Sequence, residues 1–576
     1  MKKIDLNGEW EFAFAEGKSF AEANAGFEAT DAIPVPGCYD MMPKWLVKRG
    51  TGLYRRTFTL DAPAHNAFFV VDGMGLTGRF CLDGRELGVV ALPWSRFELE
   101  TGPLEAGEHT LFAALDNRFD FATQKLTRPY YDFYCFGGFY HGVSLEVQEA
   151  EIEPSRVFVR TKDYASGTVE LEVAFRGTAP DVFSAEVKFD TETVFHTVAF
   201  AAGRAVLQVP AFKVWSLEEP NLHTVTLRAF GGEKSERFGI REFKAEGNRF
   251  VLNGRPVYLK GTNRHEARPD VGASTDEAQM REDIALLKSI GGNFFRGAHY
   301  PQNDRFLELC DEAGILVWEE SLGWGNRPDE MADAGFIAAQ IEQTRLMVRK
   351  SFNHPSVVIF AFMNEFDSGS REGKALADKL IDTIRAEDSG RLVTFACNHT
   401  WNDICNEKTD IFAFNTYPGW IGDDEAETPE ILKATITKAV NGIVEKFRKL
   451  YPGKPIMVSE MGTCGVRGFR DPAAAQWTED FQAEYVGDVI EAVFGNAEIA
   501  GLTIWQFTDS RSYHRGGACI RTKPFAQNLA GIFDAFRRPK LVASVVREAF
   551  LKRMQTEGGA VEVPEGACAA ALGKRD

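Results

Sequence analysis

The first 240 residues of this 576-residue chain form short segments in which apolar and polar residues alternate, divided by turn residues. The alternation is clear at 168–175 and 223–230, and it is the period of a strand with one buried face. Asp72-Gly73 and Asp83-Gly84 lie between β-forming residues and predict hairpin turns. The pattern therefore predicts β-sheet over residues 1–150 and a small antiparallel sandwich over about 155–240.

From about residue 246, short apolar runs alternate with amphipathic helical segments, among them 275–290, 340–351 and 371–386. Eight runs predict buried parallel strands, at 257–262, 293–296, 315–319, 357–363, 392–397, 411–415, 456–459 and 502–506. Eight strand–helix repeats over about 300 residues predict a closed (β/α)8 barrel. The tail after residue 556 is rich in Gly and Ala and is predicted to be loose.

The composition narrows the class of protein. Hydrophobic residues make up 44% and charged residues 26%, as in ordinary soluble globular proteins. The net charge of −18 argues against a nucleic-acid or anionic-membrane partner, and no run approaches the length of a membrane span. Nine cysteines without a CxxC pair favour free thiols, and the N-terminus lacks the apolar core of a signal peptide. We expect a cytoplasmic protein that forms a homo-oligomer.

Glu365 and Glu460 each end one of the apolar runs in the barrel region. A carboxylate at the C-terminal end of a barrel strand lies where such barrels carry out their chemistry. Two of them on different strands are the minimum needed to cleave a glycosidic bond. The fourth and seventh strands face each other across the barrel mouth, so these side chains can converge. The alternative is that each glutamate is only a structural ion-pair partner.

The two carboxyl groups need opposite pKa shifts for this chemistry. Partial burial near a second carboxylate, as at Glu365, would give the raised pKa that a general acid needs, whereas hydrogen bonds from neighbours would keep a nucleophile ionised. A separation of about 5–5.5 Å would give retention of configuration, and about 6.5–9.5 Å would give inversion. The sequence leaves this distance open.

Several motifs, in matching order over roughly residues 1–550, resemble glycoside hydrolase family 2, above all its β-glucuronidase and β-galactosidase branches. The motif positions are 6–10, 261–266, 298–301, 364–365, 415–417, 459–462, Trp505 and 538–540. The resemblance implies a jelly-roll β-sandwich at 1–152, an immunoglobulin-like β-sandwich at 153–245, a catalytic (β/α)8 TIM barrel at 246–555 and a tail at 556–576.

The family resemblance also implies roles for individual residues. The family is retaining, with Glu365 as acid/base and Glu460 as nucleophile. Asn364 is expected to donate a hydrogen bond to the sugar 2-hydroxyl, and Tyr417 to hydrogen-bond the nucleophile. Asn415 belongs to the same motif as Tyr417 and is expected to line the sugar site.

Four further residues are expected in the sugar site by resemblance. His265 and His299 are expected to line it, and Trp505 to form the floor against which the apolar face of the sugar stacks. Asp132 is expected to reach from the jelly-roll domain into the barrel mouth. The alternatives are ordinary core positions for the histidines and the tryptophan, and a solvated loop position for the aspartate.

The sequence departs from the β-glucuronidases where they bind the sugar carboxylate. Those enzymes carry an Asn-any-Lys element, and here Asn528 is followed by Ala530 in place of the lysine. Arg521 and Lys523, just upstream, could supply the missing cation, or they could be solvated loop charges. We therefore expect a neutral, galactoside-like sugar, with a glucuronide or galacturonide as the alternative.

No metal or cofactor is expected. The Glu-any-His pair that holds magnesium in some large β-galactosidases has no counterpart after strand three, where Glu319 and Glu320 precede Ser321 and Leu322. Trp324, Trp401 and Trp420 are either stacking surfaces for the leaving group or loop-packing residues. The predicted partner is a small-molecule or oligosaccharide β-glycoside. The competing hypothesis is a non-catalytic carbohydrate-binding protein of the same fold.

Overall fold

The computed structural model describes residues 2–17, 20–24, 26–126, 133–421, 428–513, 523 and 526–556. The predicted loose tail after 556 lies outside these residues. The seven cysteines within the described ranges are buried and free, as expected from their spacing.

The first 150 residues form two antiparallel sheets that share one apolar core, in agreement with the predicted β-structure. One sheet contains, in spatial order, Lys2–Asp5, Val143–Gln148, Ala64–Val71 and Phe97–Leu104. The other contains Asp31–Val35, Gly8–Ala15, Thr51–Leu60, Gly107–Asp116, Thr77–Leu82 and Arg85–Val90. Gly37–Cys38 pairs with Gly138–Phe139, and short helical turns occupy Phe20–Glu22, Tyr39–Met41, Pro43–Trp45 and Phe121–Gln124. The jelly-roll assignment itself stays a prediction.

Of the two predicted hairpins, one is correct and one is wrong. Asp83 and Gly84 connect two paired strands with φ of 50° and 79°, the left-handed conformation that this tight turn requires. Asp72-Gly73 instead follows a strand of one sheet and leads into the other sheet. The strand before this turn, Ala64–Val71, pairs with Val143–Gln148 and Phe97–Leu104 and not with the next strand, Thr77–Leu82. The chain therefore crosses from one sheet to the other at Asp72-Gly73.

The next region is a seven-stranded antiparallel sheet that encloses its own apolar core. Its strands, in spatial order, are Glu153–Asp163, Thr168–Arg176, Arg204–Gln208, His196–Ala201, Val182–Phe189, His223–Ala229 and Gly232–Phe238. A three-stranded meander then leads into the barrel, formed by Phe243–Glu246, Arg249–Leu252 and Arg255–Val257.

All eight predicted barrel strands are present and parallel. Strands one to four are Leu259–Arg264, Phe294–Gly297, Leu316–Trp324 and Val357–Asn364. Strand five has two pieces, Leu392–Thr394 and Ala396–Cys397, and strands six to eight are Phe412–Asn415, Ile456–Met461 and Ile499–Ile504. The first piece of strand five pairs with strand four and the second with strand six, so together they close the barrel.

Seven of the barrel strands are followed by the predicted type of helix. These helices are Glu277–Ser289, Asp304–Ala313, Ala334–Ser351 (after a turn at Pro328–Met331), Arg371–Glu387, Pro429–Leu450, Glu479–Phe494 and Leu541–Thr556. Side chains before several of them cap the free backbone N–H groups, for example Asp276 through Gln279 N and Thr428 through Ile431 N.

The prediction of eight strand–helix units fails at the fifth. Residues 398–411 connect strands five and six without a helix. Lys454 and Lys446 donate hydrogen bonds to carbonyl groups of this segment, and Asn406 and Thr409 are buried within it. Side-chain hydrogen bonds thus satisfy a backbone that lacks helical pairing.

Candidate active site

Glu365 and Glu460 lie at the C-terminal rim of the barrel, as the strand pattern predicts. Glu365 follows strand four directly, with φ of 53°, a left-handed conformation that is uncommon for a residue with a side chain. Its N–H donates to the carbonyl of Ala396 in strand five. Glu460 lies within strand seven and pairs in register with Asn415 of strand six.

The pKa of the Glu365 carboxyl is raised to about 8. Burial is the larger cause, and the nearby charge of Glu460 is the second. A hydrogen bond from Asn415 Nδ2 to Glu365 Oε1, 2.8 Å long, acts in the opposite direction and lowers the pKa. Glu365 is therefore held protonated at neutral pH, as a general acid must be.

Glu460 is surrounded by hydrogen-bond donors. Arg296 Nη1 donates to Glu460 Oε1, and Tyr417 OH donates to Glu460 Oε2. Arg296 is fully buried, so its charge faces Glu460 without solvent between them. Both carboxylate oxygens of Glu460 are thus held by charged or hydroxyl donors in a fixed orientation, as a nucleophile requires.

A continuous chain of hydrogen bonds joins the two glutamates. Asn415 Nδ2 contacts both Glu365 Oε1 and, at 3.2 Å, Asn364 Oδ1. Arg296 Nη2 also donates to Asn364 Oδ1, at 2.9 Å, while its Nη1 holds Glu460. Ser459 Oγ donates to Asn415 Oδ1 at 2.7 Å and fixes that amide. Asn415, Asn364 and Arg296 thus connect the two carboxyl groups.

Asn364 carries a spare donor. Its Oδ1 accepts two hydrogen bonds, whereas its Nδ2 is buried and has no partner among the described residues. A buried donor without an acceptor is rare in folded proteins, and at a functional site it marks a place for a ligand oxygen.

The predicted aromatic and imidazole residues come together beside the glutamates. His299 stacks on Trp505 with ring centroids 5.4 Å apart, and His265 contacts the same indole edge-on at the same distance. Burial lowers the pKa of both imidazoles, that of His299 to about 3, so both are neutral. Phe133, from the N-terminal sheets, packs against His265 and His299 at 5.2 and 5.8 Å. Asp132 lies outside the described residues.

The sequence reading missed three residues of this site. Arg296 connects Glu460, Asn364 and Glu320, the last through Nη2 at 2.8 Å. Glu320 also accepts from Trp318 Nε1 and pairs with His299 Nδ1 at 3.0 Å. Phe133 is the third. Arg296 and Glu320 could have been predicted by the criterion that selected Glu365, because each is a charged residue at the end of an apolar run that predicts a buried strand.

At the predicted carboxylate site, the structure describes only some of the candidates. Asn528 is buried in a short hairpin, and its Oδ1 accepts from the N–H of Ala530. Ala530 packs with Trp505 and Trp420 in one apolar cluster. Lys523 is buried, and burial lowers its pKa to about 7. Arg521 lies outside the described residues.

The three loop tryptophans differ in position. Trp420 is buried and packs edge-on against Tyr417, with centroids 5.2 Å apart. Trp324 pairs in register with Asn364, so it ends strand three rather than lying in a loop. Trp401 is 67% exposed and lies against Gly442 and Lys446 of the helix Pro429–Leu450.

Within the described ranges, no three or more His, Cys, Asp or Glu side chains are grouped in a way that could hold a metal ion. In the same parts of the chain, no helix is long and apolar enough to cross a membrane.

Residues 243–555 match the family described as "Glycosyl hydrolases family 2, TIM barrel domain". The chain is 27% identical to the β-glucuronidase of Sus scrofa over 439 residues, which are 73% of this chain and 65% of that protein. It is 26% identical to the β-glucuronidase of Rattus norvegicus over 451 residues, 76% of this chain and 67% of that protein. The chain thus spans about two thirds of these curated relatives.

Solved structures cover nearly all of the chain. A family 2 β-galacturonidase from Eisenbergiella tayi, solved with galacturonate bound, superposes with a TM-score of 0.85 at 27% identity, covering 96% of this chain and 97% of that one. A β-glucuronidase from Bifidobacterium dentium gives 0.85 at 23% identity, covering 96% and 97%, and shows the shared fold.

Proposed function

The chain belongs to glycoside hydrolase family 2, and from that premise we propose that it is a retaining exo-acting β-glycosidase of terminal β-linked uronic acids. One observation carries the catalytic part. Glu365, with its pKa raised to about 8, and Glu460, held by Arg296 and Tyr417, share one hydrogen-bond chain at the barrel rim.

In the first step, a carboxylate oxygen of Glu460 attacks the anomeric carbon and forms a glycosyl–enzyme ester. At the same time Glu365 transfers its proton to the leaving oxygen. The buried Nδ2 donor of Asn364, which has no partner among the described residues, is proposed to bind the sugar 2-hydroxyl, a contact that strengthens as positive charge develops at the anomeric carbon.

In the second step, Glu365 is ionised and takes a proton from water, which attacks the same anomeric carbon. The bond to Glu460 breaks, and the sugar leaves with its original configuration. Trp505, His265 and His299 line the sugar on one side, and Asn415 keeps Glu365 oriented through both steps. Asp132 is proposed to bind sugar hydroxyls from the N-terminal domain.

The uronic acid is preferred over the expected neutral sugar because of the relatives. The curated relatives above are β-glucuronidases, and the galacturonate-bound neighbour is a β-galacturonidase. Ala530 removes the usual lysine, so the cation must come from elsewhere. Lys523, with Arg521 and Asn528, is the proposed carboxylate-binding group, and a bound carboxylate would raise its pKa from about 7 and keep it charged.

A substrate panel tests the sugar class. We expect nitrophenyl β-galacturonide or β-glucuronide to be cleaved at least tenfold faster, as kcat/KM, than nitrophenyl β-galactoside or β-glucoside. Arg521→Ala combined with Lys523→Ala should abolish this preference and leave the slow neutral rates unchanged. Lys433→Ala, on an outer helix, serves as control. Equal losses on all four substrates would reject the carboxylate-binding role.

Catalysis itself is tested with Glu460→Gln. We expect its turnover of the best substrate to fall at least a thousandfold, while binding of the uronic acid product is retained. A non-catalytic carbohydrate-binding protein would show no turnover in either form, and a different nucleophile would leave the rate of the variant near that of the wild type.

A further inference from the structure

A cavity of about 450 Å³ lies between the N-terminal sheets and the barrel loops, beside the catalytic site and distinct from it. Met41, Leu46 and Val47 form its apolar wall, and Tyr134 and Arg511 lie on the opposite side. Its volume is within the range of small-molecule sites.

The cavity is separated from the imidazoles of the catalytic site by a single chain segment. Phe133 packs against His265, whereas the next residue, Tyr134, lines the cavity and donates its N–H to the carbonyl of Arg511. A ligand in this cavity would therefore occupy the other side of the segment from the sugar.

The charges of both Arg49 and Arg511 act on the one buried carboxylate of Asp40, so two arginines share a single anion there. Arg268 pairs with Glu282 at 2.7 Å, and Asp509 pairs with Lys540 at 2.8 Å. Arg511 is half-buried and stacks over Tyr134, with its guanidinium carbon 4.2 Å from the ring centre. Within the described residues its guanidinium makes no hydrogen bond or ion pair. The N–H donors of a guanidinium lie along the edge of its plane, and this fork of donors matches the two oxygens of a carboxylate.

We propose that this cavity is a second binding site for a ring-shaped carboxylate of monosaccharide size, with Arg511 as the group that binds the anion. The apolar wall of Met41, Leu46 and Val47 packs against the ring, and the side-chain amide of Gln527 lines the same cavity and can bind its polar substituents. The choice of a uronic acid as the ring rests on the proposed function, whereas the carboxylate anchor does not. The ligand is either a free sugar acid or a uronic acid unit of an acidic oligosaccharide.

Calorimetric titration with galacturonate tests the proposal. We expect two sites per chain in the wild type and one in Arg511→Gln, with affinity for the lost site weakened at least tenfold. Ala535→Phe, which adds an aromatic ring to the cavity wall and leaves residue 511 as arginine, should also remove that site. Arg467→Gln, an arginine outside the cavity, should keep both. Galactose should not bind the cavity.

Trp505→Ala separates this inference from the proposed function, because it weakens only the catalytic site. If Trp505→Ala leaves both sites intact, the proposed sugar site is wrong. If Arg511→Gln and Ala535→Phe both retain two sites of unchanged affinity, the second site is refuted. A single site in the wild type that Trp505→Ala removes would refute it as well.

A kinetic comparison identifies the source of the ligand. If the cavity takes a unit of an oligosaccharide, KM for an acidic trisaccharide will be lower than for the nitrophenyl uronide, and Arg511→Gln will remove that advantage. If it takes a free acid, the ratio of the two KM values will be the same in both proteins, while galacturonate binding is lost in the variant.

Discussion

Removing the charge of Glu460 should lower the pKa of Glu365, and the size of this effect can be worked from the site. In the proposed retaining mechanism, the two carboxyl groups are about 5.5 Å apart. At an effective dielectric constant of about 20, their charges repel by about 3 kcal/mol. At 1.36 kcal/mol per pKa unit, this corresponds to about 2 units. Glu460→Gln should therefore move the pKa of Glu365 from about 8 to about 6. Burial, which is the larger cause, remains and keeps the pKa above the ordinary 4.5.

Carboxylate NMR of protein labelled with ¹³C in its glutamate side chains measures this pKa, with the Glu365 signal identified by its loss in Glu365→Gln. The wild type supplies a second measure, because Glu365 must be protonated for the first step of the proposed mechanism. Its kcat/KM should therefore fall as pH rises through about 8.

The control is Glu372→Gln, an exposed acid at the start of the helix after strand four, which should leave the pKa of Glu365 unchanged. An unchanged or raised pKa in Glu460→Gln would refute the close approach of the two carboxyl groups. A fall all the way to 4.5 would refute the contribution of burial.

Three further predictions concern Tyr417, Arg296 and the buried His354. Tyr417→Phe should lower kcat/KM by about 10- to 100-fold with the fold intact, because it removes one hydrogen bond to the charged Glu460, worth about 1.5–3 kcal/mol; a change below threefold would contradict this. Arg296→Ala should lower the free energy of unfolding by about 3–5 kcal/mol, since it leaves Glu320 and Glu460 buried without their partner. Denaturant titration measures this loss. The control is Arg281→Ala, at an exposed ion pair, which should cost under about 1 kcal/mol. Burial acts to lower the pKa of His354, but Asp311 and Asp304 outweigh it and raise the pKa to about 10. The stability that this ion pair contributes is thus fully present below pH 6.5 and is lost as pH rises through about 10. The difference in Tm between wild type and His354→Asn should shrink over that range, and a constant difference would contradict it.

Much of the barrel could be predicted because each strand is buried on both faces. Apolar runs such as 357–363 and 456–459 then stand out against amphipathic helices, and a charge at their ends is conspicuous. That signal was sufficient to select Glu365 and Glu460 and to place them at one rim. It could not identify the missing fifth helix, because buried Asn406 and Thr409 resemble ordinary polar loop residues in the sequence.

The sequence alone determined the order of the eight barrel strands and the two acidic positions, since periodicity and strand ends are local properties of the chain. Only the tertiary structure decided how those carboxyl groups are set. Arg296, Asn415 and Tyr417 come from strand two and from the end of strand six, and they meet Glu365 and Glu460 only when the barrel closes. The raised pKa of Glu365 likewise depends on burial and on a neighbouring charge 95 positions away in the chain, and neither can be read from local sequence.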